Sequence, residues 1–368
     1  MRNKLLFLLL LTHFSSFSQD YSFSQFDLNL MYSNPAFAGY DNNNRVLIHR
    51  KNQWTGISEK FNSNLFELNF SQEIRKQGLG ASKVNWAGGI YLIEDHENTV
   101  LKKYELGIIP WTFHYQFPKD YFLSLGLQNI ISFNSLVWDK LIFSDEIDEY
   151  GVNNNETAAS IPYYSKYTNW FDPSFGIILT KHKQFNSNNN QIVSIGFTMH
   201  HLNRVTESFY NNQSKSSKKP IKYTVHGEYT GNIPDFLSRN FRYWKVFTRH
   251  ESQTMNRMQK DEIGFTTTLS EQIPLELGTI YRLGRYLTEN EDTKFMSESI
   301  IPILRMRLKA GRKIGMEIGY SYDFNISKLG NINSIATNEI NINFYFIKHK
   351  RSICPANGKS GSNKKWSN

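Results

Sequence analysis

The chain has 368 residues, a formal charge of +9 and a single cysteine, Cys354. One thiol excludes an internal disulfide framework, and no run reaches the roughly 18 apolar residues a membrane-spanning helix requires. Aromatic residues make up 15% of the chain while the mean hydropathy is only −0.50. That pairing suits a transmembrane β-barrel, in which only alternate residues meet lipid, although a secreted soluble β-protein shares it.

The chain opens with Met1-Arg2-Asn3-Lys4, an apolar run from Leu5 to Leu11, and Ser16-Phe17-Ser18. This predicts a secretory signal peptide over residues 1–18, cut before Gln19 and lacking the cysteine of a lipoprotein. Its removal takes away Arg2 and Lys4 and leaves a charge of +7. A basic exterior suits anionic lipid headgroups or an acidic partner, and scattered solubilising lysines give the same balance.

Residues 19–44 read as an ordered plug or cap, with Phe23-Ser24-Gln25 followed by Asn34-Pro35-Ala36-Phe37-Ala38-Gly39, where Pro35 and Gly39 break regular structure. From residue 45 to 347 the pattern has period two, the mark of strands with one apolar and one polar face. The segments are Arg45–Trp54, a second around Asn64–Phe70, Lys83–Ile93, Lys102–Gln116 and Tyr121–Phe133. Leu136–Tyr167, with acidic Asp145, Glu146, Asp148 and Glu149, interrupts the rhythm as a long rim loop. Strands resume at Asp172–Lys181, Gln191–His201, Ile221–Thr230, Phe241–His250, Glu262–Leu269, Leu275–Gly284 and Ser299–Lys309.

The clearest alternation comes last. In Arg312–Phe324, Ile314, Met316, Ile318, Tyr320, Tyr322 and Phe324 oppose Lys313, Gly315, Glu317, Gly319, Ser321 and Asp323. In Asn338–Phe346, Ile340, Ile342, Phe344 and Phe346 oppose Glu339, Asn341 and Asn343. The total is about 14 segments of about 9–11 residues, the length a tilted strand needs to cross a bilayer. Closure removes the unpaired edges of so long a sheet, and an even count leaves both ends of the wall on the periplasmic side. The fold expected is therefore an all-β transmembrane antiparallel barrel. Pro302 cannot donate to a ladder, so a bulge or local fraying is expected there. Trp54, Trp86, Trp111, Trp138, Trp170 and Trp244 include candidates for interfacial girdles. Residues 348–368, rich in Lys, Gly, Ser and Asn, read as a flexible basic tail.

Candidate chemistry is sparse. His200-His201 places adjacent rings on opposite faces of a strand, where they cannot share a metal. Glu94-Asp95-His96-Glu97 has ligand types but reads as a solvated turn, and Asp145 to Glu149 lacks the spacing of a calcium loop. No hydrolase, zinc-protease or phosphate-loop motif is present. Asn155-Glu156-Thr157 matches a glycosylation sequon, and Cys354 beside Pro355 has nothing near it in sequence to activate a thiol. The residues point to no catalytic group, no metal and no cofactor, and a non-enzymatic barrel is expected.

Several stretches together resemble the PorP/SprF family of outer-membrane proteins of the type IX secretion system. They are Phe23-Ser24-Gln25, Asn34 to Gly39 with Pro35, Arg50 to Trp54, Asp172-Pro173-Ser174-Phe175-Gly176, Gly196 with His201-Leu202, Gly278 to Arg282 with Tyr281, Gly319 to Asp323 with Tyr320 and Tyr322, Asn338 to Ile340, and Cys354-Pro355. The set runs in order along nearly the whole mature chain. It departs from the family pattern before the last strand, at Ile335-Ala336-Thr337, and by one extra residue within Gly278 to Arg282.

The resemblance implies an outer membrane protein of a Gram-negative bacterium, by family association one of the Bacteroidota with gliding motility. It also implies a part in protein export or in surface retention of a large adhesin. Implied partners are secreted cargo with a C-terminal secretion domain, other type IX secretion components of the translocon or periplasmic ring, and outer membrane lipid, with no nucleic acid. A porin-like channel for small solutes is the competing expectation, because a barrel of this size can leave a lumen. Mixed charge at the lumenal positions Arg282, Lys313, Glu317 and Asp323 lacks the one-signed ladder of a selective pore.

Overall fold

A computed structural model describes residues 20–346 except 29, 42, 56–60, 74–83, 98–99, 118–119, 138–139, 143–145, 149–150, 153–166, 187–188, 210–217, 233–240, 254–257, 270–273, 288–292, 311–313 and 328–335. The expected signal peptide, Trp138, Lys313, the sequon at Asn155, Cys354 and the basic tail therefore lie outside the described residues, as do Asp145 and Glu149 of the acidic loop.

The first half of the wall comprises β1 (Asn44–Gln53), β2 (Phe61–Glu73), β3 (Val84–Glu97), β4 (Leu101–Phe117) and β5 (Tyr121–Leu136). A two-residue hairpin, β6 (Ile147–Asp148) and β7 (Gly151–Val152), stands apart within the long rim connection. The wall continues through β8 (Tyr167–Asn186), β9 (Asn189–His200), β10 (Lys222–Asn232), β11 (Phe241–Gln253) and β12 (Met258–Leu269). It ends with β13 (Leu275–Leu287), β14 (Thr293–Ala310), β15 (Ile314–Asn325) and β16 (Thr337–Phe346). Among the described residues fourteen strands close into one antiparallel barrel: each pairs with its neighbour in sequence, β5 pairs with β8, and β1 pairs with β16 over Asn44↔Phe346 to Gln53↔Thr337. Inside it lie a short helix, α1 (Leu30–Ser33), and a single 3-10 turn, Pro35–Phe37.

The period-two reading fixes the faces. Ile340 and Phe346 of β16 point outward, whereas Glu339, Asn341 and Asn343 are buried inside. In β14, Leu304 and Met306 face out and Arg305 is fully buried between them. An apolar exterior around a polar interior is the inverse of a soluble protein and the rule for an outer-membrane barrel. The polar face is covered by the described residues between 20 and 43, the segment expected to form a plug or cap.

Several local expectations are corrected. The strands run from 10 residues in β1 to 20 in β8, not 9–11, because hairpin pairing continues past the apolar band. For the same reason β8 starts at Tyr167, where its ladder with β5 begins, rather than at Asp172. Of the bulge or fraying expected at Pro302 the structure has the fraying: it pairs with Thr279, but the β14–β15 ladder skips Ile301 and Pro302 while keeping its register. The nearby bulge lies at Glu298, which the β13–β14 pairing omits. A proline does sit at a register shift in β4, where Pro110 falls between Ile108 and Trp111. Glu94 to Glu97 is not a turn but the end of β3, with Asp95 buried inside and Glu94 paired outside with His96 at 3.1 Å.

Both termini of the wall lie at one end, which the short connection between β4 and β5 shares. The connections spanning residues 137–166 and 201–221 are at the other. Short turns mark the periplasmic end and long loops the outer end of bacterial barrels. Asn44 and Phe346 are thus periplasmic, and Gln53, Phe61, His200 and Lys222 border the outer mouth.

Candidate functional site

The site is the lumen itself, because the amino-terminal segment runs through it. Asp20 stands at the outer mouth, its carboxylate 2.8 Å from His201 Nε2, 2.8 Å from Lys222 Nζ and 3.2 Å from Lys219 Nζ. The other ring nitrogen of His201 meets Asp172. His200 and His201 were expected on opposite faces, yet both are buried inside, with ring centroids 6.1 Å apart. The reason is local: β9 ends at His200, and His201 turns back at φ 62°. Burial draws the His201 imidazole down, but Asp20 and Asp172 outweigh it and hold its pKa above 6.5.

From there the segment descends. Lys51 donates to the Ser22 carbonyl and Lys260 to the Ser22 hydroxyl. Phe23 is buried in a cluster with Tyr32, Leu47, Leu65 and Tyr91, and Arg249 donates to its carbonyl at 3.1 Å. The amides of Ser24 and Gln25 donate to Glu339 at 2.8 and 3.3 Å, while Arg282 reaches the Ser24 hydroxyl at 2.8 Å. Gln25 also binds Ser321 at 3.0 Å. Phe26 packs edge-on to Phe247, beside Ile280, Ile301 and Ile303.

Asp27 is the deepest anchor. Arg305 clasps both its carboxylate oxygens at 2.7 and 2.8 Å, Lys245 adds a third contact, and Arg45 donates to the Leu28 carbonyl at 3.2 Å. Behind these contacts the wall pairs with itself. Arg305 also binds Glu276, Arg307 joins Glu276 to Glu317, and Glu262 joins Arg249 to Arg282, which continues to Asp323. A buried charge requires such partners, since an unpaired one would cost several kcal/mol, order of magnitude.

The second half of the segment is held by shape. Asn34 caps the 3-10 turn by accepting the Ala36 amide at 2.9 Å, and its own amide reaches His226 at 3.0 Å. Thr112 donates to the Pro35 carbonyl at 2.9 Å and His114 bonds the Ala38 carbonyl at 2.7 Å. The wall makes room with glycine: a Cβ on Gly176 would lie 2.0 Å from Asn34 Oδ1, and one on Gly126 2.4 Å from the Pro35 carbonyl carbon. Gly39 adopts φ 68° and its amide donates to Asn69 at 3.0 Å, turning the chain toward β1.

Of the residues singled out from the sequence, Phe23, Ser24, Gln25, Asn34, Pro35, Gly39 and Gly176 meet in the lumen. Trp54 stands at the outer rim against Phe61, with ring centroids 4.7 Å apart. Pro173, Tyr281, Tyr320 and Tyr322 lie on the outward side of the wall and touch none of them. The anchors Asp20, Asp27, Arg249, Glu262, Glu276 and Arg305 were missed. For two of them the signal was there, since Glu276 lies between Leu275 and Leu277 and Arg305 between Leu304 and Met306, charges at inward parity between apolar neighbours. Arg249 and Glu262 each have a polar neighbour and carried none. Above Ser22 a cavity of about 420 Å³ opens at the outer mouth, bordered by Lys51, Trp54, Phe61, Glu251 and Lys260. Among the described residues no cluster of His, Cys, Asp and Glu is arranged to hold a metal ion.

No curated protein matches the chain in sequence. Among solved structures it is similar to a TodX monoaromatic hydrocarbon channel deltaS2 mutant, at 8% identity over 87% of this chain and 94% of that one, with a TM-score of 0.49. It is also similar to the P. putida toluene transporter TodX, at 7% identity over 86% and 93%, TM-score 0.46. The β-domain of the Bordetella autotransporter BrkA follows at 8% identity over 83% and 98%, TM-score 0.39. Residues 15–344, nearly the whole chain, match the family described as type IX secretion system membrane protein PorP/SprF. With its lipid-facing apolar wall, the protein is a β-barrel of the outer membrane. The chain belongs to the PorP/SprF family of type IX secretion system membrane proteins.

Proposed function

We propose that this barrel assists the export or surface retention of secreted proteins by binding protein partners, without catalysing a reaction. Membership of the family already implies interaction with other type IX secretion components. The finer reading is that secreted cargo with a C-terminal secretion domain is among the partners. The observation that carries it is the occupied lumen. Residues 20–43 fill it through buried ion pairs and glycine-fitted contacts, which favours a partner-binding wall over an open conduit for solutes.

Quantitative proteomics of the cell surface and culture medium after deletion of the gene tests this. Loss of one large surface protein with a C-terminal secretion domain marks a dedicated cargo partner. A joint fall of many secreted proteins marks a general part of the machine. No change in either fraction would remove the secretion role and bring the small-solute channel forward.

A further inference from the structure

The wall contacts of residues 20–28 share one chemistry. Nearly all are cationic side chains donating to oxygen: Lys222 and His201 to Asp20, Lys51 and Lys260 to Ser22, Arg249 to the Phe23 carbonyl, Arg282 to the Ser24 hydroxyl, Arg305 and Lys245 to Asp27, and Arg45 to the Leu28 carbonyl. The acceptors on Ser22, Phe23 and Leu28 include main-chain carbonyls, which any extended chain offers. Glu339 completes the grip by accepting two consecutive backbone amides. Side-chain selection therefore rests on the carboxylates of Asp20 and Asp27, the apolar seats of Phe23 and Phe26 and the side-chain bonds of Gln25 to Ser321 and Arg305.

This half is also the separable half. Residues 34–39 are keyed to Gly126 and Gly176 by close approach. Against residues 20–28, by contrast, most of the wall cations keep a wall carboxylate of their own: Arg249 with Glu262, Arg282 with Asp323, Arg305 with Glu276 and Lys260 with Glu251. If the segment left, Lys222 and Lys245 would lose their nearest carboxylates, and Arg305 would lose one of its two. A replacement must bring two negative charges at those two places.

We propose that residues 20–28 are the resident occupant of a peptide-binding track in the lumen, and that an extended acidic segment of a protein partner takes their place. The inference rests on the partner-binding reading above and names the class of segment bound. Specificity comes from two carboxylates seven positions apart, aromatic rings three positions after the first and just before the second, and an amide between them, with much of the rest held through the backbone.

The test uses the full-length protein in detergent, titrated with a fluorescent nonapeptide of the sequence Asp20–Leu28. The D20N/D27N protein, whose own segment is weakened, should bind the peptide about tenfold more tightly than wild type, since the tethered segment competes at high effective concentration. A peptide with both aspartates changed to asparagine should bind about tenfold more weakly. One keeping the aspartates, Phe23, Gln25 and Phe26, with the other positions shuffled, should bind as well as the original. A photo-crosslinker replacing the ring of Phe26 in the peptide should mark Phe247, Ile280 or Ile301 of the wild-type barrel, a readout that does not depend on the variant folding. No saturable binding by folded protein, equal binding of the asparagine peptide, failure of the shuffled peptide, or crosslinks confined to the exterior would each overturn the track. A negative titration beside a lost surface protein in the deletion strain would sink the track alone and leave the partner role standing.

Discussion

Arg305 is the residue on which most depends. Its guanidinium is fully buried and joins Asp27 of the segment to Glu276 of the wall. Arg305→Ala takes the two-pronged partner from Asp27, leaving it Lys245, and one of two arginines from Glu276, and should destabilise the protein by about 3 kcal/mol, read from urea unfolding followed by tryptophan fluorescence. Arg50→Ala, at an exposed residue bonded to Asn52, should change the same curve by about 0.5 kcal/mol or less. His201 gives a pH dependence of opposite sense to a paired carboxylate. Its folded pKa lies above 6.5, because Asp20 and Asp172 outweigh burial and the neighbouring Lys219. The stabilisation is therefore complete below about pH 6.5 and is lost as pH rises through the folded value. The protection factors of the amides of residues 20–24, exchange corrected for its intrinsic rise with pH, should fall over that range and stay flat in His201→Gln. At this scale the faces were legible and the pairings were not. Ile340 and Glu339 declare opposite sides by parity alone, but no local pattern says that Glu339 receives the amide of Ser24 from 315 residues away.

Each predicted segment corresponds to one strand of the wall, because alternation is a local property that survives without its neighbours. The misjudged ends, as in β8, have a physical cause: outside the apolar band polar residues appear on both faces while the backbone ladder simply continues. Loss of parity was read as loss of strand. The last ladder ends at Phe346, paired with both Asn44 and Ile314. Truncation after Ile347 should therefore leave heat-modifiable migration on gels intact. The amino-terminal segment gives a second prediction at this scale. Wild-type protein in planar bilayers should show no steady conductance, and removal of residues 20–28 should produce it, because they run from Asp20 at the outer mouth to Leu28, bonded to Arg45 near the periplasmic end. Steady current from the intact protein would favour the solute channel.

For the molecule as a whole, stability is divided between two solvents. Apolar strand faces meet lipid, and the polar interior is satisfied by ion pairs that only the filled lumen completes. Leu304→Arg puts a charge on the lipid face and should cost about 2–4 kcal/mol at the midplane, measured as folding equilibrium into liposomes against denaturant. The sequence already carried the closed barrel through its count of alternating segments. The destination of residues 19–44 was left open as plug or cap, since breakers such as Pro35 and Gly39 fix a turn and not its location.

The path of that segment also bears on time. β1 and β16 come from opposite ends of the chain, so their seam depends on the most distant pairing in the molecule. Asp20 stands at the outer mouth while Asn44 begins β1 at the periplasmic end. Once the seam had shut, a late-arriving segment would have to drag two carboxylates through a crowded interior to reach that position. Seating residues 20–43 while the cylinder is still an open sheet avoids that passage. Filling before closing is the easier order, and a barrel that closes first has to admit its occupant through the mouth.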